Sequence, residues 1–302
     1  MGHDHAHGAG VKHRGRLGLV LALTLAVLVL QVVVGLVTGS LALLADAGHL
    51  LSDSFGLVLA LAAIVVAQRP AGARSTYGFH RTEVLAAGLN ALILIGLCVA
   101  IVIGAVRRLE DPPAIEGGWV LAAGLVGLVV NVVGLLVLRS GAQESLNVRG
   151  AYLEVMGDAL GSVAVIASAA VILATGWYPA DPIASLLIAA LIVPRAVSLL
   201  RDVAEVLLEA SPRDVDLDAV RNHILGVRGV VDVHDLHVWT ITSGMPVMSA
   251  HVVVDESVVS MGDAHAVLDQ LGECLSGHFD VAHSTFQLEP AGHLENESHR
   301  HR

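Results

Sequence analysis

Six stretches of about twenty apolar residues dominate this chain, each long enough to cross the roughly 30 Å hydrocarbon layer of a membrane as a helix. They occupy residues 17–38, 41–67, 84–106, 119–138, 151–174 and 179–199. Inside lipid every backbone N–H and C=O must find its partner within the chain, which makes helices the expected form. A soluble six-helix bundle would need polar stripes along these runs, and they have none. A mean hydropathy of +0.72 and 55% hydrophobic residues point the same way. The first run is expected to remain as a helix: it is too long for the core of a signal peptide, and no small-residue cleavage site with a polar flank follows it. Six spans return the chain to the side from which it started. Lys12, Arg14, Arg16, Arg69, Arg74, Arg81, Arg139, Arg149, Arg195 and Arg201 then gather on one face, opposed only by Arg107 and Arg108. The positive-inside bias makes that face, and both termini, cytoplasmic.

Charge divides the chain near residue 201. Up to that point there are 12 Lys or Arg against 11 Asp or Glu, and beyond it 5 against 17, so the net charge of −11 belongs to the tail. Ten of the sixteen histidines also follow residue 201, four precede the first span, and only His49 and His80 fall between. The expected organisation is a His-rich N-terminal tail (1–16), a transmembrane domain (17–201), a cytoplasmic domain (202–291) and a His-rich C-terminal tail (292–302). The cytoplasmic domain reads as α, β, β, α, β. A helix over 215–225 sits behind Asp214 and Asp216, and strands over 230–242 and 247–255 turn at Gly244 and Pro246. A second helix over 260–276 starts at Ser260 with Asp263 three residues on, and a last strand covers 284–289. At roughly 80 residues such a domain gains from dimerisation. The segments 1–13 and 292–302 are too polar to fold alone. Cys98 and Cys274 differ too much in setting to pair. An acidic tail offers no footprint for nucleic acid.

Charges inside apolar helices cost about 2.5–3.5 kcal/mol each at the centre of a span, so those present need a reason. The second span carries LLADAGHLLSD, with His49 and Asp53 four residues apart on one helix face and Asp46 one turn earlier. The fifth carries AYLEVMGD, with Glu154 and Asp158 at the same spacing. Facing each other, the two pairs present one imidazole and three carboxylates, a four-ligand set that suits a tetrahedral divalent ion, zinc first. Burying all four uncompensated would cost on the order of 8–12 kcal/mol, so they are expected to be metal-bound or protonated. Exchange between those states is a route to proton antiport. Gln31, Asn90 and Asn131 could line the route but are expected rather to pin helix contacts, and Gly157 and Gly161 to let helices approach. Asp46 reads as structural as readily as functional, and His80 reads as structural.

With these residues the chain resembles the cation diffusion facilitator family, in particular its bacterial zinc, cadmium and cobalt exporters and the animal zinc transporters. The resemblance rests on SLALLADAGHLLSD (40–53), YGFHRTEVLAAGLNAL (77–92), NVRGAYLEVMGDALGS (147–162) and VHDLHVW (233–239), in that order. It implies a transport site at His49, Asp53, Glu154 and Asp158, a homodimer, proton exchange, and a ferredoxin-like cytoplasmic domain that binds metal and helps gate transport. It also implies residence in a bacterial inner membrane. Many zinc-transporting members have His where Glu154 stands; an oxygen there hardens the site and adds negative charge, which opens it to cobalt, cadmium or manganese.

The tail histidines form a second candidate set. His234, His237, His251, His265 and His283 lie on or near the strands and the second tail helix, with Glu289 closing the last strand. The resemblance favours His234, His251 and His265 as zinc ligands, followed by His283 and Glu289. His237 alternates with Val233, Trp239 and Ile241, which makes core packing an equal reading. His223 and His278 read as surface residues, and Asp235 as a support for a ligand imidazole. The terminal histidines (His3, His5, His7, His13, His293, His299, His301) could capture metal or be solvated. An intramembrane metalloprotease would need a pattern such as H-E-x-x-H, which is missing, and a passive channel would use rings of weak ligands. The expected protein is a secondary active metal/proton antiporter that needs no organic cofactor; a membrane-anchored metal sensor is the alternative.

Overall fold

The computed structural model describes residues 6–140, 146–258, 260–278 and 283–295. The chain divides into two units, one drawn from residues 1–61 and 87–200 and the other from residues 62–86 and 201–302. Six helices are long and apolar enough to cross a membrane: α1 (Ala6–Thr38), α2 (Leu41–Ala67), α3 (Arg81–Glu110), α4 (Gly117–Leu138), α5 (Leu146–Thr175) and α6 (Ala180–Leu207). The second coincides with its apolar run, and the other five extend past theirs at one end or both. The first begins at Ala6, within the segment expected to be unfolded: no proline interrupts residues 6–17, and a helix nucleated in the apolar run that follows extends back through them.

In the first unit small side chains let the helices approach. Ala42 and Ala45 of α2, Ala123 of α4, Ala169 of α5 and Ala184, Ala189 and Ala196 of α6 are buried together with Leu43, Leu94, Val165 and Ile188. Small interfaces of this kind suit helices in lipid, where no water drives association. The outward faces stay apolar, as at Val29, Leu36, Val37 and Val58.

Gly39 takes φ +71° to turn the chain between α1 and α2, a conformation open to a residue without Cβ. The start of α2 is capped from a distance. Asp181, buried at the first turn of α6, accepts from the Ser40 hydroxyl, from Leu41 N–H (2.6 Å) and from Ala42 N–H (3.4 Å). Arg108 donates to the Gly39 carbonyl beside it. Buried polar groups join the helices elsewhere: Gln31 Nε2 donates to Asp46 Oδ2 at 2.7 Å, Asn131 Nδ2 to Ser162 Oγ at 3.3 Å, and Ser52 Oγ to Asn90 Oδ1 at 3.5 Å. Gln31, Asn90 and Asn131 thus make the helix contacts expected of them. Gly161 packs against Asp46, whereas Gly157 has nothing within 4 Å of where its Cβ would be, so only one of the two glycines serves close approach.

The second unit contains α7 (Leu217–Leu225), β1 (Val230–Thr240), β2 (Pro246–Val254), α8 (Met261–His278), β3 (His283–Pro290) and a 3-10 turn over Ala291–Glu295. This is the expected α, β, β, α, β order, with the 3-10 turn starting where the C-terminal tail had been expected to be unstructured. Asp216 caps α7 by accepting from the N–H groups of Asp218 and Ala219. The sheet order is β1-β2-β3, with β1–β2 antiparallel and β2–β3 parallel. Val233, Val238, Met248, Ala250, Val252 and Leu288 of the sheet pack with Val220 and Ile224 of α7 and Val267, Leu271 and Leu275 of α8. Gly244 (φ +74°) makes the turn before β2, and Pro246 opens that strand, where its missing N–H is tolerated. The facing ends of α2 and α3 belong to this unit too: Thr82 Oγ1 donates to Ala63 O (3.2 Å), Thr242 Oγ1 to Glu83 Oε2 (3.0 Å), and Arg81 pairs with Glu209 (2.7 Å).

Candidate metal centres

The i, i+4 spacing on α2 puts His49 and Asp53 on one face, and α5 brings Asp158 to it. His49 Nε2 lies 3.5 Å from Asp53 Oδ2 and 3.7 Å from Asp158 Oδ1. Both separations are longer than an ordinary N–H···O hydrogen bond of about 2.7–3.2 Å. They lie just above about 3.3 Å, the edge of a tetrahedron drawn around an ion with bonds of about 2.0–2.1 Å. His49 and Asp158 are buried, and two of their atoms, His49 Nδ1 and Asp158 Oδ1, have no hydrogen-bond partner among the described residues. A buried carboxylate oxygen without a partner is costly unless a cation or a proton meets it. The three side chains together offer one nitrogen and two oxygens within 4.8 Å of one another.

Glu154, the expected fourth ligand, stands outside this group. Its Oε1 accepts from Arg195 Nη2 at 2.9 Å, and Arg195 Nη1 reaches Asp53 Oδ2 at 3.4 Å. Arg195, which the sequence reading used only as a topology marker, is therefore part of the site. Its position inside the sixth apolar run, with four acids in the second and fifth, is the signal that points to it. Asp46 is taken by Gln31 and His80 joins no cluster among the described residues, so neither adds a ligand.

A second group forms on the face of the tail sheet turned away from α7 and α8. His234 of β1 is the cross-strand partner of His251 on β2, and Glu289 lies on the adjacent β3. His251 Nδ1 is 2.7 Å from Glu289 Oε1, His234 Nε2 is 3.6 Å from Glu289 Oε2, and the two imidazole centroids are 5.1 Å apart. Gln287 Nε2 also donates to Glu289 Oε1, at 2.7 Å, which helps hold the carboxylate under the rings. Glu289 and His234 are buried. Among the described residues, then, two histidines and a glutamate converge as a second candidate metal site.

The other expected tail ligands lie elsewhere. His265 is exposed on α8 and faces Asp269 at 3.4 Å, and His283 is exposed at the start of β3, six residues before Glu289. The face of His237 differs from the expectation. β1 bulges between His234 and His237, with Asp235 at φ +47°, so the alternation slips: Val233 and Val238 point to the helices, and His237, opposite Ser249, is exposed. His223 is half-buried, with Nδ1 2.9 Å from Ala219 O. His3, His5, His299 and His301, and the side chains of His7, His13 and His278, lie outside the described residues.

Two family models cover most of the chain. Residues 17–208 match the cation efflux transmembrane domain, and residues 212–291 match the cytoplasmic domain of cation efflux proteins. The chain belongs to this cation efflux, or cation diffusion facilitator, family. It is 44% identical over 290 residues to the metal cation efflux system protein CzcD of Cupriavidus metallidurans, covering 96% of this chain and 90% of that protein. It is 38% identical over 295 residues to the zinc transporter ZitB of Escherichia coli (96% and 93% covered). It is also 36% identical over 295 residues to the cadmium, cobalt and zinc/H(+)-K(+) antiporter of Bacillus subtilis (97% and 93% covered). The metal-bound C-terminal domain of the Cupriavidus CzcD transporter has 41% sequence identity, covers 25% of this chain and 99% of its own, and aligns with a TM-score of 0.23.

Proposed function

We propose that this protein carries divalent transition metal ions, zinc foremost and cadmium and cobalt with it, out of the cytoplasm in exchange for protons. It does so as a homodimer in a bacterial inner membrane with both termini in the cytoplasm. The observation that carries the reading is the convergence of His49, Asp53 and Asp158, at separations of 3.5 and 3.7 Å, inside helices of membrane-crossing length. Relatives named for zinc transport, for metal cation efflux and for cadmium, cobalt and zinc antiport support the choice of cargo and of mode.

The chemistry follows from the ligands. An imidazole binds metal only when neutral and a carboxylate only when ionised, so an arriving ion releases whatever protons the site held. Protons entering from the far side compete for the same atoms and eject the ion. Buried Asp158 and His49 keep the contest away from water, where metal–ligand attraction is strongest. Glu154 completes the coordination when it leaves Arg195. The mixed nitrogen and oxygen set accepts zinc, cadmium and cobalt; its three carboxylates make manganese the nearest hard competitor. The site formed by His234, His251 and Glu289 senses cytoplasmic metal and adjusts the transporter through its own occupancy. Exposed His265 and His283 are not needed for it.

Zinc uptake into inside-out proteoliposomes, with an internal pH dye, tests the reading. Zinc entry with matching proton exit, slowed when the gradient is collapsed, is the expected result. Zinc binding without any flux would replace the transporter by a membrane-anchored sensor.

A further inference from the structure

Arg195 reaches the very oxygen through which Asp53 faces His49. Asp53 Oδ2 is the oxygen that faces His49 Nε2 at 3.5 Å, and the same Oδ2 lies 3.4 Å from Arg195 Nη1. The other arm of the guanidinium takes Glu154 Oε1 at 2.9 Å. Two of the four carboxylate and imidazole groups expected to bind metal are thus engaged by a side-chain cation, while His49 Nδ1 and Asp158 Oδ1 make no hydrogen bond among the described residues.

From this geometry we infer that Arg195 is a tethered competitor of the cargo. It neutralises Asp53 and Glu154 while the site is empty, leaves Asp53 as the metal arrives, and returns to help drive the metal off. The inference rests on the proposed transport site.

Three features fit a guanidinium that moves. Arg195 is half exposed and Glu154 is 36% exposed, against 4% for Asp158, so the arginine lies on the open side of the site and can withdraw without unpacking the helices. Pro194, inside α6, directly precedes it. Proline donates no backbone hydrogen bond and clashes with the carbonyl four residues earlier, so α6 is weakest just where it carries Arg195. Finally, three carboxylates and one guanidinium leave a formal charge of −2, which a divalent ion cancels with Arg195 still nearby. Two fixed forks on two carboxylates also call for arginine, whose planar donors meet both at once.

A nearby positive charge must weaken the binding of a cation and hasten its release. Removing it therefore moves two kinetic constants in the same direction, which mere loss of structure would not do. The test compares zinc flux in proteoliposomes for wild type, Arg195→Gln, Arg195→Lys and Asp158→Ala at pH 8, where competition from protons is weakest. Arg195→Gln is expected to lower KM about tenfold and to lower kcat as well, while Arg195→Lys, which keeps the charge, stays within about threefold of wild type in KM. An Arg195→Gln KM equal to or above that of wild type, with Asp158→Ala inactive, overturns the inference and leaves the site standing. An active Asp158→Ala overturns the site itself. If Arg195→Gln moves too little zinc for a KM, equilibrium zinc titration against a chelator decides, on full-length protein also carrying His234→Ala and His251→Ala. Tighter binding than the parent supports the competitor, and equal or weaker binding overturns it.

Discussion

Asp46 of α2 and Gly161 of α5 lie so close that a Cβ on Gly161 would stand 2.4 Å from Asp46 Oδ1. Asp46 cannot easily give way, because its other oxygen is held by Gln31 and the residue is buried. Gly161→Ala is therefore expected to destabilise the protein by about 1–3 kcal/mol through overpacking. Gly157→Ala, four residues away with nothing within 4 Å, should change stability by no more than about 0.5 kcal/mol. Thermal unfolding of the two variants in detergent checks the pair, and equal melting points would contradict the packing.

The cap on α2 makes a second prediction. Asp181→Ala removes the acceptor for Ser40, Leu41 and Ala42 at once, leaving buried N–H groups without a partner. A loss of about 1–2 kcal/mol is expected, as for other N-cap deletions, and Asp181→Asn should recover part of it because an amide oxygen still accepts. The measurement is again the unfolding midpoint; an unchanged midpoint for Asp181→Ala would show that α2 finds its cap elsewhere.

The tail site separates the converging His234, His251 and Glu289 from exposed histidines. His251→Ala or Glu289→Ala should weaken zinc binding by the cytoplasmic domain about 100-fold, whereas His265→Ala should change it less than about threefold. Zinc titration against a competing chelator, on full-length protein carrying Asp158→Ala to silence the membrane site, measures both. A loss with His265→Ala as large as with His251→Ala would mean that α8 contributes a ligand.

The sequence made some of these features legible and left others hidden, for physical reasons. Span length and the i, i+4 spacing of His49 with Asp53 are local, so the membrane helices and half of the candidate metal site could be read directly. The α, β, β, α, β order followed from caps and alternation. His237 came out on the other face because the bulge at Asp235 shifts the alternation by a residue, and nothing in VHDLHVW marks a positive φ at that aspartate. Asp181 caps a helix 140 residues away, and Arg195 holds acids 41 and 142 residues away, so both roles are tertiary and carry no local pattern. An ion pair between helices depends on which helices meet, and a periodicity argument does not reach that far.

The central claim is that Asp53 and Asp158 hold the transported ion. Zinc flux into inside-out proteoliposomes under a proton gradient, compared for wild type, Asp53→Ala, Asp158→Ala and the exposed control Asp269→Ala, tests it most directly. Flux should fall by about 100-fold or more in the first two variants, at least the upper end of the loss seen when a partner supporting a metal ligand is removed, and stay within about twofold in the control. Wild-type flux in either Asp53→Ala or Asp158→Ala would contradict the account.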